Sequence, residues 1–165
     1  MDLPTDEERG ARYAALTERI KLSLEGETDW ITAMATVAAM LHGEFEYFDW
    51  TGFYRAVEPD LLVLGPFQGG EACFRIPFDK GVCGAAARTR SVILVDDVST
   101  FDGHIACSST TVSELVSPVV SPKKRLLGVL DIDSNSAAAF TKADEIGISK
   151  ICKNLGEMYG ATTQL

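Results

Sequence analysis

Between residues 47 and 133, most of the apolar runs follow one another through connections too short to carry a chain back over a sheet. Pro59-Asp60 separates Tyr47–Val57 from Leu61–Phe67, Gly69-Gly70 breaks the chain before Cys73–Pro77, and Ser121–Arg125 divides Leu115–Val120 from Leu126–Ile132. Parallel strands need crossovers of about a dozen residues or more, so this spacing predicts a mainly antiparallel sheet. Val92–Val95 adds a further short strand. Alternation along the first strand predicts Phe48, Trp50 and Tyr54 on one face.

Helices frame this region. Thr5 and Glu8 have capping-box spacing, and Tyr13, Leu16, Ile20 and Leu24 recur at helical intervals, so a helix is expected from Thr5 to Glu25 with Gly26 past its end. A second begins after Thr28 or Asp29, buries Trp30, Met34, Val37 and Leu41, and ends at Gly43. Val82–Arg90 reads as an Ala-rich helix, and Thr141 with Asp144 opens a last one carrying Ile148, Ile151, Cys152, Leu155 and Tyr159. The result is an α+β chain of one domain: N-terminal helices over 5–43, sheet and loops over 47–133, and a C-terminal helix over about 142–160. Asp96–Thr111 has no period and collects Asp, Ser, Thr, Gly and His, and a loop of that length in a compact domain usually serves function.

Charge narrows the classes of partner. Fifteen Lys and Arg against 24 Asp and Glu leave a net charge of −9, which argues against a phosphate backbone as ligand. Lys123-Lys124-Arg125 is expected at a hairpin tip and not in a binding patch. No apolar stretch has the roughly 20 residues of a membrane span, and the acidic start MDLPTDEERG is unlike a secretory or transit segment, so a cytoplasmic protein is expected.

Of the four cysteines, Cys152 lies on an apolar helical stripe and reads as core. Cys83, in Gly81-Val82-Cys83-Gly84, stands at a helix start, where unpaired N–H groups and the helix dipole favour a thiolate. Cys107 follows His104 by three residues within the long loop, and Cys73 follows a glycine hinge. Neither a Cys-x₂-Cys nor a His-x₃-His pair is present, so a Cys₃His zinc site is disfavoured and redox chemistry preferred. Asp131 and Asp133 share one face of the last strand, with Glu114 at the start of its neighbour. A plain hairpin pairing Val120 with Leu126 would set Glu114 opposite Ile132, on the wrong side of the sheet. Grouping the three carboxylates therefore requires an even-length loop or a bulge near Pro118.

Six runs in order carry a resemblance: Asp49-Trp50-Thr51-Gly52-Phe53-Tyr54, Leu64-Gly65-Pro66-Phe67-Gln68-Gly69, Gly81-Val82-Cys83-Gly84, Gly103-His104-Ile105-Ala106-Cys107, Ser113-Glu114 and Leu130-Asp131-Ile132-Asp133-Ser134. Together they resemble the free methionine-(R)-sulfoxide reductases, enzymes built on a GAF domain. Asp102 and Asn135 depart from the family pattern, which more often has proline there. The resemblance implies Cys107 as the attacking thiol, Cys73 as the resolving thiol and Cys83 as a third participant, with no metal and no cofactor. The residue chemistry alone ranks Cys83 level with Cys107. The resemblance further implies free methionine sulfoxide as substrate, a thioredoxin-like reductant and a homodimer. Glu114, Asp131 and Asp133 would then bind the substrate's α-ammonium, one of them holding a proton, while Trp50 and Tyr54 wall the pocket. Two rivals use the same residues: a GAF module that senses a small ligand without turnover, and a thiol-based peroxide sensor that has no need of the acidic pocket.

Overall fold

A computed structural model describes residues 3–105 and 107–161. Helices α1 (Asp6–Ser23) and α2 (Trp30–Glu44) precede strands β1 (Trp50–Glu58), β2 (Leu61–Gln68) and β3 (Arg75–Pro77). Helix α3 (Gly81–Thr89), strands β4 (Ile93–Val95), β5 (Ser113–Val120) and β6 (Leu126–Ser134), and helix α4 (Lys142–Tyr159) complete the chain. The strands form one six-stranded sheet in the order β3-β2-β1-β6-β5-β4, and every neighbouring pair is antiparallel. The sequence expectation of an antiparallel α+β domain therefore holds. No helix among the described residues is long and apolar enough to cross a membrane.

Local chemistry sets the helix ends. Capping boxes close the first turns of α1 (Thr5 with Glu8) and α4 (Thr141 with Asp144), and the Asp29 side chain accepts from Thr32 N at the start of α2. Asp144 does more than cap. Its buried carboxylate pairs with Arg9 and accepts hydrogen bonds from Tyr13 Oη at 2.9 Å and Tyr47 Oη at 2.6 Å. This cluster ties α1 and α4 together, and removing one partner of such a buried pair costs about 3–5 kcal/mol.

The sheet divides two cores. On one face α1, α2 and α4 pack Leu16, Met34, Leu41 and Ile151 against Phe53, Leu115, Leu130 and Ile132. On the other, Val82 and Ala86 of α3 join Trp50, Tyr54, Val116 and Val129 in a second cluster. The expected grouping of Phe48 with Trp50 and Tyr54 fails, because Phe48 lies in the helical core. Phe48 precedes β1, in a turn where its N–H donates to Phe45 O, so strand alternation has not yet begun. Cys73 likewise lies just outside β3, which starts at Arg75.

The expected register device is present. Val120 pairs with Leu126, but Val119 pairs with Gly128, leaving Leu127 as an extra residue on β6. This bulge brings Glu114 opposite Asp133 and Val116 opposite Asp131. It lies between Val119 and Val120, close to the predicted Pro118. One shifted residue moves a carboxylate across the sheet.

Candidate active site

The site sits on the α3 face of the sheet, under the segment joining β4 to β5. Two glycines make room for it. A Cβ on Gly84 would lie 2.5 Å from Pro77 O, so α3 approaches β3 closely only because that side chain is missing. A Cβ on Gly52 would meet the Trp50 ring at 2.5 Å, so the indole crosses its own strand over Gly52. Trp50 stacks on Tyr54 at 5.9 Å and on Phe67 at 5.4 Å between ring centroids.

The covering segment is pinned at several points. A single 3₁₀ turn at Val98–Thr100 buries Val98, whose N–H donates to Val112 O, and Val112 N donates to Ser134 O. Gly81 N donates to Gly103 O at 2.9 Å, fastening the segment to the start of α3. A disulfide joins Cys73 to Cys107, with Cα atoms 5.1 Å apart. The two cysteines singled out on either side of Cys83 are thus covalently joined, while Cys83 and Cys152 are free. Cys152 is buried in α4, donates weakly to Ser117 O and has its thiol pushed up to about 12 by burial, as a core residue would.

A small cavity of about 30 Å³ lies beneath the disulfide, lined by Cys83, His104, Cys107, Glu114, Asp131 and Asp133 among others. A second hollow of about 200 Å³, lined by Trp50 and Glu71, shares Ser108, Thr111 and Asp133 with the first. The fold thus gathers Cys107, Cys73, Cys83, Glu114, Asp131, Asp133 and Trp50 around one place. Tyr54 lines neither hollow and backs the Trp50 ring from behind.

Electrostatics in the cavity are dominated by burial. Glu114 and Asp131 are each only 6% exposed. Burial, then the charges of Asp131 and Asp133, raises the Glu114 carboxyl well above its ordinary range. Burial pushes Asp131 up to about 7, opposed by hydrogen bonds from Cys83 and Glu114, and Asp133 is raised by burial and by Asp131. Protons are therefore retained here near neutrality.

Cys83 corrects a sequence expectation. Its sulfur lies 4.0 Å from Glu114 Oε1, as donor, and burial followed by the charges of Asp131 and Glu114 raises its pKa well above the ordinary value. A helix terminus contributes typically 0.3–1 kcal/mol toward an anion, whereas desolvation of a fully buried charge reaches several kcal/mol. Cys83 is therefore a thiol and no ready nucleophile. The Cys83 sulfur and carboxylate oxygens of Glu114 and Asp131 lie within 4.8 Å of one another. To hold a divalent cation all three would have to shed protons that burial retains.

Four residues were missed as site members. His104 Nδ1 stands 3.9 Å from Glu114 Oε2, and burial lowers its pKa, keeping the ring neutral. Ser108 and Thr111 line both hollows, and Asp49 Oδ2 accepts from Asn135 N at 2.7 Å, fixing the end of β6. Only the proximity of His104 to Cys107 was visible as a signal. Trp50 Nε1, His104 Nδ1 and Asp131 Oδ1 are buried without a hydrogen-bond partner among the described residues, which marks a place built for a polar ligand.

The raised carboxylates have a consequence for stability. In the unfolded chain Asp131 ionises near 3.9, while in the fold it does so only near about 7. Between these values the folded state holds the extra proton, so its stabilising effect is complete below pH 4 and is lost as pH rises through 7. Urea denaturation of the disulfide form at pH 8 should then show Asp131→Asn to be more stable than wild type, by on the order of 2 kcal/mol, with the difference vanishing near pH 4. Equal stability at both pH values would remove the buried-carboxylate argument.

Residues 27–156 match the GAF domain family. The free methionine-R-sulfoxide reductase of Escherichia coli is 42% identical over 150 residues, covering 91% of this chain and 90% of that protein. The Saccharomyces cerevisiae free methionine-R-sulfoxide reductase is 38% identical over 148 residues, covering 84% of this chain and 82% of that protein. The X-ray structure of the Neisseria meningitidis free methionine-R-sulfoxide reductase in complex with its substrate superposes with a TM-score of 0.88. It is 39% identical and covers 98% of this chain and 96% of that chain. With the sheet, the disulfide and the acidic cavity in place, the chain belongs to the GAF-domain family and, within it, groups with the free methionine-R-sulfoxide reductases.

Proposed function

We propose that this protein reduces free methionine (R)-sulfoxide to methionine, with Cys107 as nucleophile and Cys73 as resolving thiol. The observation that carries this is the Cys73–Cys107 disulfide lying over a cavity of proton-holding carboxylates. In the reduced enzyme Cys107 attacks the sulfoxide sulfur while a buried carboxyl protonates the departing oxygen. The S–O bond breaks, the oxygen passes with that proton to the Cys107 sulfur, and the bond between the two sulfurs cleaves to free methionine. Cys107 becomes a sulfenic acid, its sulfur losing the two electrons that the sulfoxide sulfur gains. Cys73 then displaces water to give the disulfide, and an external dithiol restores both thiols.

Each remaining side chain has a task in this reading. Asp131, Asp133 and Glu114 accept hydrogen bonds from the α-ammonium, and the carboxyl that keeps its proton acts as general acid. The neutral His104 ring offers a nitrogen beside Glu114. Trp50, backed by Tyr54, forms the wall toward the thioether and methyl group. Cys83, held as a thiol, donates toward Glu114.

The cavity under the closed disulfide is about 30 Å³, room for roughly one water. The disulfide form is thus the product state, and reduction must free the covering segment before an amino acid enters. A pocket this confined favours the free amino acid over a residue within a peptide. The reading carries with it a thioredoxin-like reductant and a homodimer, both drawn from the family resemblance, and the cytoplasmic setting expected from the sequence.

The test supplies the R and S sulfoxides separately with dithiothreitol and follows free methionine. Turnover of the R isomer alone is expected. Absence of turnover with either isomer would leave a ligand-sensing module.

A further inference from the structure

We propose that Phe74 is the docking residue for the protein dithiol that reduces the Cys73–Cys107 disulfide, and that the reductant's thiolate attacks the Cys73 sulfur. The inference rests on the function proposed above and names how its reducing partner is recognised.

Phe74 is 73% exposed. The other large exposed apolar side chains, Leu3, Leu22, Ile31, Ile146 and Met158, lie on or beside α1, α2 and α4, on the opposite side of the sheet from the site. Phe74 alone among them adjoins the disulfide, being the residue after Cys73. Its backbone is fixed, since Leu64 N donates to Phe74 O at 3.0 Å, yet its ring is left uncovered. An aromatic ring left uncovered on a held backbone has only two side-chain torsions to lose when a partner covers it.

Geometry also selects the sulfur. Cys107 lines the substrate cavity and Cys73 does not. Attack on Cys73 leaves the reductant joined to Cys73 in a mixed disulfide and releases Cys107 as the thiolate needed for the next turnover. The reductant's second thiol then attacks its own sulfur in that bond, releasing Cys73 as thiolate and leaving the reductant oxidised. Consecutive Cα atoms are about 3.8 Å apart, so Phe74 lies within the footprint of a protein surface that reaches the Cys73 sulfur. The partner that fits is a small dithiol protein whose reactive cysteine is ringed by apolar residues, as an aromatic anchor requires.

The test reads the reductive half-reaction, which needs no sulfoxide. Oxidised wild type and Phe74→Ser are mixed with reduced thioredoxin in one arm and dithiothreitol in the other, and new thiols are counted by alkylation and intact mass. Phe74→Ser should slow reduction by thioredoxin about tenfold and leave the dithiothreitol rate within about twofold. A thioredoxin lacking its second cysteine should be trapped on Cys73. Equal slowing in both arms, an unchanged thioredoxin rate, or an adduct on Cys107 would overturn the proposal. So would a change in sedimentation with reduction unaffected, which would assign Phe74 to contact between copies of this chain. Sulfoxide turnover of wild type with dithiothreitol, measured separately, reads the proposed function on its own.

Discussion

Cys107→Ser should abolish reduction of free methionine (R)-sulfoxide, by at least about a thousandfold in kcat, because no other thiol in the site is placed to attack. The alternative nucleophile would be Cys83, and the structure ranks it well behind. It is 3% exposed, its sulfur faces Glu114, and burial with two neighbouring carboxylates holds its proton. Cys107 lies at the cavity edge and is only half-buried. Cys73→Ser should behave differently: the first turnover survives and the enzyme stalls with an unresolved sulfenic acid. Cys83→Ser should keep most of its activity. The measurement is methionine formed per enzyme, in one turnover and at steady state. A Cys107→Ser protein that still turned over at near wild-type rate would move the attack elsewhere.

Glu114→Gln should lower kcat/KM by about a hundredfold or more, through loss of both an ionisable contact and a proton donor. Glutamine preserves size and a hydrogen-bonding amide, so a packing role for Glu114 would leave activity intact. Glu114 stands at the centre of the acidic set, opposite Asp133 on the neighbouring strand and within 4.0 Å of Cys83 and 3.9 Å of His104. The same substitution should leave oxidation of Cys107 by hydrogen peroxide largely unchanged, since that reaction needs the thiol and no ammonium pocket. Retained sulfoxide turnover, checked at several pH values, would remove the carboxylate from the mechanism.

Much of this site was visible in the chain before folding. Hairpin spacing implied an antiparallel sheet, and the capping boxes at Thr5 and Thr141 located two helix starts to the residue. The demand that Glu114 share a face with Asp131 and Asp133 implied the bulge found at Leu127. What was illegible came from tertiary surroundings. The helix-start argument for Cys83 was sound locally, but burial, followed by the carboxylates from β5 and β6, outweighed it. His104, Ser108 and Thr111 belong to a segment without period, whose path is set by contacts such as Gly81 N to Gly103 O. Nothing in the sequence marks Arg9 as the buried partner of Asp144, 135 positions away. Phe48 was misplaced because alternation was extended back into a turn.

The most direct measurement is a single turnover with reduced Cys73→Ser/Cys83→Ser protein, free methionine (R)-sulfoxide and a sulfenic-acid trap such as dimedone. Cys107 is then the one site thiol left, and Cys152 is buried in the core. One methionine released per protein, with one adduct mapped to Cys107, is the predicted result. Methionine released without an adduct on Cys107, or no methionine at all, would contradict attack by Cys107 on the sulfoxide.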